Sequence, residues 1–257
     1  MSKIHRVTSY LSYWLNAVNE HSLQAPFIYD LYKKVLKKPI APDAINEVRK
    51  RLENSTHQVH VNGYGAGSEV DNGSMRNVSD IAKYGITKHK YAQLLERLIE
   101  YLESEKILEL GTSLGVNTLY MSKNQNSKVT TIEGEESLLN IAESVFEAQN
   151  RTNIEAVCGN IDDVLPEIIQ NQHKLDFVFF DANHTKEATL NYFSQCLKRV
   201  HDKTCFVFDD IHWSTEMEEA WDRIKKHYEV TLSIDIYQMG IVCFNPEIRK
   251  QDYILEY

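Results

Sequence analysis

The stretch KILELGTSLGVNTLYMSKNQNSKVTTIEGEE (residues 106–136) decides the fold. An apolar run, KILEL, passes straight into Gly111-Thr112-Ser113-Leu114-Gly115. A helical pattern starts behind it, and a second apolar run, KVTTI (128–132), ends in Glu133. Strand, glycine loop, helix and strand in that order open a doubly wound sheet, whose ligands lie beyond the carboxyl ends of the strands. Gly111 is placed for the tight turn, and Gly115 for close packing where the helix begins. Glu133 falls 22 residues after Gly111, where an acidic side chain would accept from both hydroxyls of a ribose.

Downstream, the runs NIEAVC (153–158), LDFVFF (175–180) and TCFVF (204–208) continue the strands. Helical segments carrying Leu138, Ile141 and Val145, then Val164, Leu165, Ile168 and Ile169, then Leu190, Phe193, Leu197 and Val200 lie between them. A helix with Met217, Trp221 and Ile224 follows the fifth run. Continuous apolar strands between helices predict a parallel sheet covered on both faces. The last two runs, 229–236 and 240–244, are separated only by Tyr237-Gln238-Met239, a link that suits an antiparallel hairpin and not a crossover. The expectation is an α/β chain: a Rossmann-like, doubly wound, mostly parallel seven-stranded sheet with an antiparallel last strand.

Upstream, residues 1–87 read as an N-terminal helical extension and 88–257 as the α/β domain. Leu11, Trp14, Leu15 and Val18 recur at helical spacing, as do Ile28, Leu31, Tyr32, Val35 and Leu36, and then Ile45, Val48 and Leu52. Residues 57–80 show no period and hold four of the chain's ten glycines (Gly63, Gly65, Gly67 and Gly73), so they read as a loop. That loop, around Tyr64–Ser68, and the Tyr10, Tyr13, Trp14 region form either a lid or a homodimer contact through the N-terminal helices; a simple tether beside a core-packed aromatic helix is the plainer alternative. A further helix carries Tyr91, Leu94, Leu95, Leu98, Ile99 and Leu102.

The bulk properties narrow the function. A net charge of −9 argues against a nucleic-acid partner, and the runs Arg49-Lys50-Arg51, Lys33-Lys34 and Lys37-Lys38 sit in helical patterns as solvated faces. No apolar run is long enough for a membrane span, and Met1 to Thr8 is polar, unlike a signal peptide. The four cysteines form no C-x-x-C pair; Cys158, Cys205 and Cys243 lie in apolar runs and read as buried thiols, as expected in a reducing cytoplasm.

Two nucleotide cofactors fit the loop. A dinucleotide needs G-x-G-x-x-G, because its pyrophosphate approaches the backbone at the middle glycine. Here that position is Ser113, and the spacing is G-x-x-x-G. S-adenosylmethionine has no phosphate and tolerates a side chain there. A ligand-free strand–helix turn is the bland alternative, which Glu133 and the terminal hairpin weaken.

On these residues the chain resembles the class I S-adenosylmethionine-dependent methyltransferases over 88–257. More narrowly it resembles the catechol and caffeoyl-CoA type of O-methyltransferase. ELGTSLGVNTLYMS (109–122) is similar to that family's first motif, TIEGEESLLNIA (131–142) to its second, and CGNIDDVLPEI (158–168) to the segment flanking adenine. The stretches HSLQAPFIYDLY and GYGAGS are also similar to a further group of bacterial methyltransferases. The resemblance implies Gly111, Thr112, Ser113 and Asn117 around the methionine part of the donor, Glu109 and Gly115 as further cofactor-binding residues, and Glu133 at the ribose. It implies Gly159, Asn160, Ile161 and Asp162 at the adenine; core packing for Ile161 and a helix N-cap role for Asp162 stand beside that reading.

At the reaction end, Asp181 closes the fourth run in FFDANH, and Asp209 and Asp210 close the fifth in FDDIHW. Three hard oxygen ligands would suit Mg²⁺ or another divalent cation that orients an acceptor and lowers the pKa of its hydroxyl. The resembled family has Asp, Asp and Asn there, so Asp210 is a departure; helix capping by Asp209 or Asp210, and Asp181 facing the donor itself, are the alternatives. His184 stands where that family has a lysine base, and a histidine can do the same work near neutral pH. His212 is a second candidate base or ligand, and Trp213 a candidate pocket wall. The expected activity is methyl transfer to a hydroxyl of a small-molecule acceptor. Methyl transfer to nitrogen or to a protein, an NAD-dependent oxidoreductase, and a non-catalytic binding module are the competing readings.

Overall fold

The computed structural model of the protein describes residues 3–61 and 74–257. In chain order its elements are α1 (Lys3–Asn16), α2 (Pro26–Leu31), α3 (Ala44–Glu53), β1 (Gln58–Val61), β2 (Ser74–Asn77), α4 (Val78–Tyr84), α5 (His89–Tyr101), β3 (Lys106–Leu110), α6 (Val116–Met121), β4 (Lys128–Glu133), α7 (Glu136–Ala148) and β5 (Ile154–Cys158). Then come α8 (Ile161–Asn171), β6 (Phe177–Phe180), α9 (Lys186–Leu197), β7 (Cys205–Asp209), α10 (Thr215–Lys226), β8 (Leu232–Asp235), β9 (Met239–Cys243) and β10 (Gln251–Ile254). The chain forms two compact units, Pro39–Val164 and Met1–Lys38 with Leu165–Tyr257. The sequence reading instead separates 1–87 from 88–257.

In the unit Pro39–Val164, β3, β4 and β5 are parallel and adjacent in that order. β3 and β4 are buried almost throughout, as the apolar runs require. Helix α5 turns Tyr91, Leu94, Leu95, Leu98 and Ile99 inward, and α7 turns in Leu138, Leu139, Ala142 and Phe146. Asp43 caps α3 by accepting from the Asn46 N–H at 2.8 Å, and it also accepts from Gln93 Nε2 at 2.7 Å and Tyr120 Oη at 2.9 Å. One carboxylate thereby ties together α3, α5 and α6.

The stretch 57–80 is not the loop expected from its glycines. Its ends form an antiparallel pair, β1 with β2, in the register Gln58↔Asn77 to Val61↔Ser74, and α4 follows directly. The missed signal is the alternation of Val59 and Val61, both buried, with exposed Gln58 and His60. The glycines Gly63, Gly65, Gly67 and Gly73, and with them the expected Tyr64–Ser68 lid, lie outside the described residues.

In the other unit the strand order is β10-β8-β9-β7-β6. β6 and β7 are parallel, β9 runs antiparallel to both β7 and β8, and β10 pairs parallel with β8. The terminal hairpin is therefore present, but the mostly parallel strands number eight among the described residues, not seven, and the reversed strand β9 is not the last. β10 escapes a sequence reading because it is a short outer strand with only Tyr253 and Ile254 as apolar residues. It is fixed by the segment after α1: the Val18 N–H donates to the Ile254 carbonyl at 2.9 Å, and Glu256 N–H to the Val18 carbonyl at 3.0 Å.

Helix α1 forms as predicted, but its apolar stripe is not core. Leu11, Trp14 and Leu15 are 50%, 63% and 73% exposed, while Tyr13 is buried and donates to the Leu255 carbonyl at 2.6 Å. That hydrogen bond sets the helix rotation and leaves the stripe outward. The second stripe, Ile28 to Leu36, is buried as expected. Cys196, Cys205 and Cys243 are buried thiols; Cys158, expected to be buried, is exposed because β5 pairs on one side only among the described strands. No helix among the described residues is long and apolar enough to cross a membrane.

Candidate active site

The loop after β3 is built as its glycines predict. Gly111 adopts φ 102° and Gly115 φ 75°, both in the left-handed region. The N–H groups of Gly111 and Thr112 both donate to the Ile132 carbonyl, at 3.0 and 3.2 Å, which folds the loop over the end of β4. A Cβ at Gly115 would lie 2.5 Å from Phe146 Cε1 and 2.8 Å from its Cζ, so α6 starts against α7 only because no side chain is there.

Ser113, also left-handed at φ 49°, aims its backbone N–H at Glu133 Oε2, 2.7 Å away. Glu133 Oε1 accepts from the Glu135 N–H at 3.0 Å. The Gly134 N–H also faces this carboxylate, and its two oxygens together still keep acceptor capacity. Burial raises the Glu133 carboxyl above its ordinary range, while the N–H groups of Glu135 and Ser113 oppose that shift. A carboxylate fixed in this way at the end of the second strand meets the requirement for gripping a pair of ribose hydroxyls.

Glu109 is fully buried inside this unit. Its Oε2 accepts from Thr118 Oγ1 at 2.5 Å and Thr131 Oγ1 at 2.6 Å, and Thr131 in turn shares a 2.5 Å hydrogen bond with Thr112. Among the described residues, Oε1 has no hydrogen-bond partner. Burial pushes this carboxyl up to about 8, so it is largely protonated near neutral pH. Asn117 is buried and donates to Thr87 Oγ1 at 2.8 Å.

The segment after β5 rules out one alternative, the Asp162 N-cap, and leaves both readings of Ile161 standing. Asn160, not Asp162, caps α8: its Oδ1 accepts from the Asp162 N–H at 3.1 Å, and its carbonyl from Asp163 and Val164. Ile161 is buried and Asp162 exposed. The Gly159 N–H donates to the Glu133 carbonyl at 2.9 Å, tying this segment to the Glu133 strand.

A cavity of about 590 Å³ begins at Ser113 and runs past Leu138, Ile81 and Tyr84 to Met75 and Arg76. That volume suits a small organic molecule. None of β2 and α4 was legible as part of a site. A groove of about 660 Å³ between α3, β1 and α7 contains none of the predicted site residues.

In the other unit, Asp181 follows β6, and Asp209 ends β7 beside Asp210. His184 Nε2 lies 3.6 Å from Asp181 Oδ1 and 4.0 Å from Asp210 Oδ2. The ring is presented by Asn183, left-handed at φ 58°, whose amide donates to Tyr192 Oη at 2.6 Å. Thr185, not Asn183 or His184, caps α9. Burial lowers the His184 pKa, with Asp210 pulling the other way, which leaves the imidazole neutral at neutral pH.

His212 sits differently. Its Nδ1 is 2.9 Å from Glu218 Oε1, its Nε2 is 2.9 Å from Asp235 Oδ2, and the ring stacks on Tyr237 with centroids 5.3 Å apart. Burial disfavours its charge, but Asp235 and Glu218 outweigh that and raise its pKa. A ring held through both nitrogens by carboxylates is a clasp between α10 and β8, and the arrangement gives it no free lone pair for proton abstraction. Trp213 is 41% exposed.

The three carboxylates expected to hold a divalent cation do not form such a group. Asp209 Oδ1 accepts from the Asp210 N–H at 2.9 Å and from Gln238 Nε2 at 3.0 Å, and Gln238 Nε2 also donates to Asp210 Oδ1. Asp210 itself is in the left-handed region at φ 56°. Among the described residues, no three His, Cys, Asp or Glu side chains come together as a metal-holding set.

With this geometry in view, the comparisons with known proteins are direct. Residues 108–211 match a family model described as a methyltransferase domain. The chain is 27% identical over 126 residues to a catechol O-methyltransferase from Niastella koreensis, an alignment that spans 48% of this chain and 55% of that protein. The chain thus spans about half the length of that curated relative. The fold is similar to an O-methyltransferase from Bacillus cereus in complex with SAH (TM-score 0.59, 19% identity, 83% of this chain and 96% of that one). It is also similar to a Streptomyces achromogenes O-methyltransferase involved in tomaymycin synthesis, in complex with SAM (TM-score 0.61, 17% identity, 84% and 95%).

Proposed function

We propose that this chain is a class I methyltransferase that transfers a methyl group from S-adenosylmethionine to a hydroxyl of a small molecule. The observation that carries this reading is the Glu133 carboxylate, pinned by Ser113 and Glu135 with acceptor capacity to spare. A ribose offers two neighbouring hydroxyl donors to such a group. In this reading Gly111, Thr112, Ser113, Gly115, Asn117 and Glu109 surround the methionine part, and Gly159, Asn160, Ile161 and Asp162 the adenine.

The donor, when bound, supplies a methyl group already activated on a sulfonium sulfur. The chain's task is then to hold the acceptor oxygen in line and to take its proton, and orientation supplies much of the rate. Neutral His184 accepts that proton at Nε2, the nitrogen that Asp181 and Asp210 face, and the two carboxylates stabilise the imidazolium so formed. The proton leaves to solvent after the methyl ether departs. The O-methyltransferase relative supports oxygen as the methylated atom.

The test is thermal stability with S-adenosylmethionine, S-adenosylhomocysteine and NAD in parallel, followed by transfer of labelled methyl to a panel of phenols and catechols. A ligand at a hundredfold its Kd adds about 2.7 kcal/mol. Stabilisation by the adenosyl ligands and a labelled methyl ether are expected. Stabilisation by NAD alone, or label only on nitrogen, contradicts the reading.

A further inference from the structure

We propose that Gln238 stands in for a divalent cation at the end of β7, so that methyl transfer in this chain proceeds without one. The inference rests on the methyltransferase reading for its reaction, but not for its geometry. A primary amide nitrogen carries two hydrogens. Gln238 Nε2 spends one on Asp209 Oδ1, at 3.0 Å, and the other on Asp210 Oδ1. These are two of the three carboxylates that the sequence assigns to a cation.

The contact follows from strand register and is not a chance rotamer. β7 and β9 pair antiparallel as far as Asp209 opposite Met239, so Asp210 and Gln238 are the residues just beyond that last pair. The tight turn that carries Gln238 is itself closed. The Ile236 N–H donates to the Met239 carbonyl at 3.0 Å, and the Tyr237 N–H to Asp235 Oδ1 at 2.8 Å, with Tyr237 left-handed at φ 68°. Asp209 Oδ1 also takes the Asp210 N–H at 2.9 Å. A cation recruiting these oxygens would have to displace the Gln238 side-chain amide, which the β8–β9 turn carries next to them. Mg²⁺ dehydrates reluctantly, keeps several of its waters and is held through one or two carboxylates, so an amide already on Asp209 and Asp210 competes for the oxygens such an ion would use.

Mn²⁺ alone is the probe. The full chain is titrated with Mn²⁺ by electron paramagnetic resonance, which counts free ion, in parallel with Gln238→Ala, Gln238→Met and Gln238→Ala/Asp210→Asn. The wild type is expected to take up no stoichiometric Mn²⁺ up to about 1 mM, a concentration at which typical weak surface sites begin to fill. Removing the amide is expected to create one site at least tenfold tighter, in either single variant, which Asp210→Asn abolishes. Thermal melts show which variants are folded, and Gln238→Met, close in length, serves if Gln238→Ala does not fold. A stoichiometric wild-type site lost on Asp210→Asn overturns the proposal, as does a folded Gln238 variant with no gain. Methyl transfer is then run with EDTA. Undiminished rates are expected; loss restored by Mn²⁺ overturns the proposal. If no acceptor is methylated at all, the reaction assignment fails while the Mn²⁺ titration still decides the role of Gln238.

Discussion

Replacing Gly115 with alanine tests the construction of the loop after β3, and its effect can be worked from two independent contributions. The first is conformational. Gly115 sits at φ 75°, and a residue with a Cβ pays roughly 1–2 kcal/mol in that region. The second is steric. The new methyl would meet Phe146 Cε1 at 2.5 Å and Ala142 Cβ at 3.0 Å, and overpacking of that kind costs about 1–3 kcal/mol. The combined loss is about 2–5 kcal/mol, which for a chain of this size lowers the melting temperature by roughly 5–15 °C. Calorimetric or circular-dichroism melts measure it. The steric contribution is separable: Phe146→Leu withdraws the ring edge, so the double variant should recover about 1 kcal/mol or more relative to additivity. A melting temperature within about a degree of wild type, or strict additivity, would refute the claim that α6 approaches α7 through the missing Cβ.

Three further predictions follow the same logic. Burial alone would raise the Asp43 carboxyl, but hydrogen bonds from Gln93, Asn46, Tyr120 and His89 hold it at about 2, below its ordinary 3.8. Its stabilisation is therefore present above about pH 4 and lost as pH falls toward 2; Asp43→Ala should cost about 1–3 kcal/mol at pH 7 and flatten the acid melt, as urea titrations at several pH values will show. Glu109 behaves oppositely: folded, it titrates near 8 against an ordinary 4.5, so the native state keeps the extra proton and stability falls as pH rises across that interval. Glu109→Gln should remove this slope and be the more stable protein at about pH 8, since every tenfold difference in proton affinity between the folded and unfolded chain is worth about 1.4 kcal/mol; an unchanged slope would place the buried proton elsewhere. His184→Asn should lower kcat by about 10²–10⁴ with the melting temperature little changed, and the wild-type rate should rise through a pKa below the ordinary histidine value and then level off.

The loop after β3 was legible because backbone chemistry wrote it into residue types. Only glycine sits easily at the φ values of Gly111 and Gly115, and strand periodicity placed Glu133 at a strand end. The terminal hairpin was legible from a three-residue link. Side-chain partners were not. His212 reads as a base in sequence because nothing local announces Glu218 and Asp235, the latter on a strand more than twenty residues away. Gln238 carries no motif, and only the β7–β9 register brings it to Asp209 and Asp210. The helix α1 was found but its outward face was not, since the buried side is chosen by a single Tyr13 hydrogen bond to the far end of the chain. β1 and β2 were hidden by the glycines between them, which outweighed a four-residue alternation.

The central claim is that Glu133 grips the donor's sugar, and titration calorimetry of S-adenosylhomocysteine into wild type and Glu133→Gln tests it most directly. Charge-assisted hydrogen bonds of this kind are worth about 1.5–3 kcal/mol, so the variant should bind roughly ten- to a hundredfold more weakly while melting close to wild type. Equal affinity in the two proteins would contradict the account.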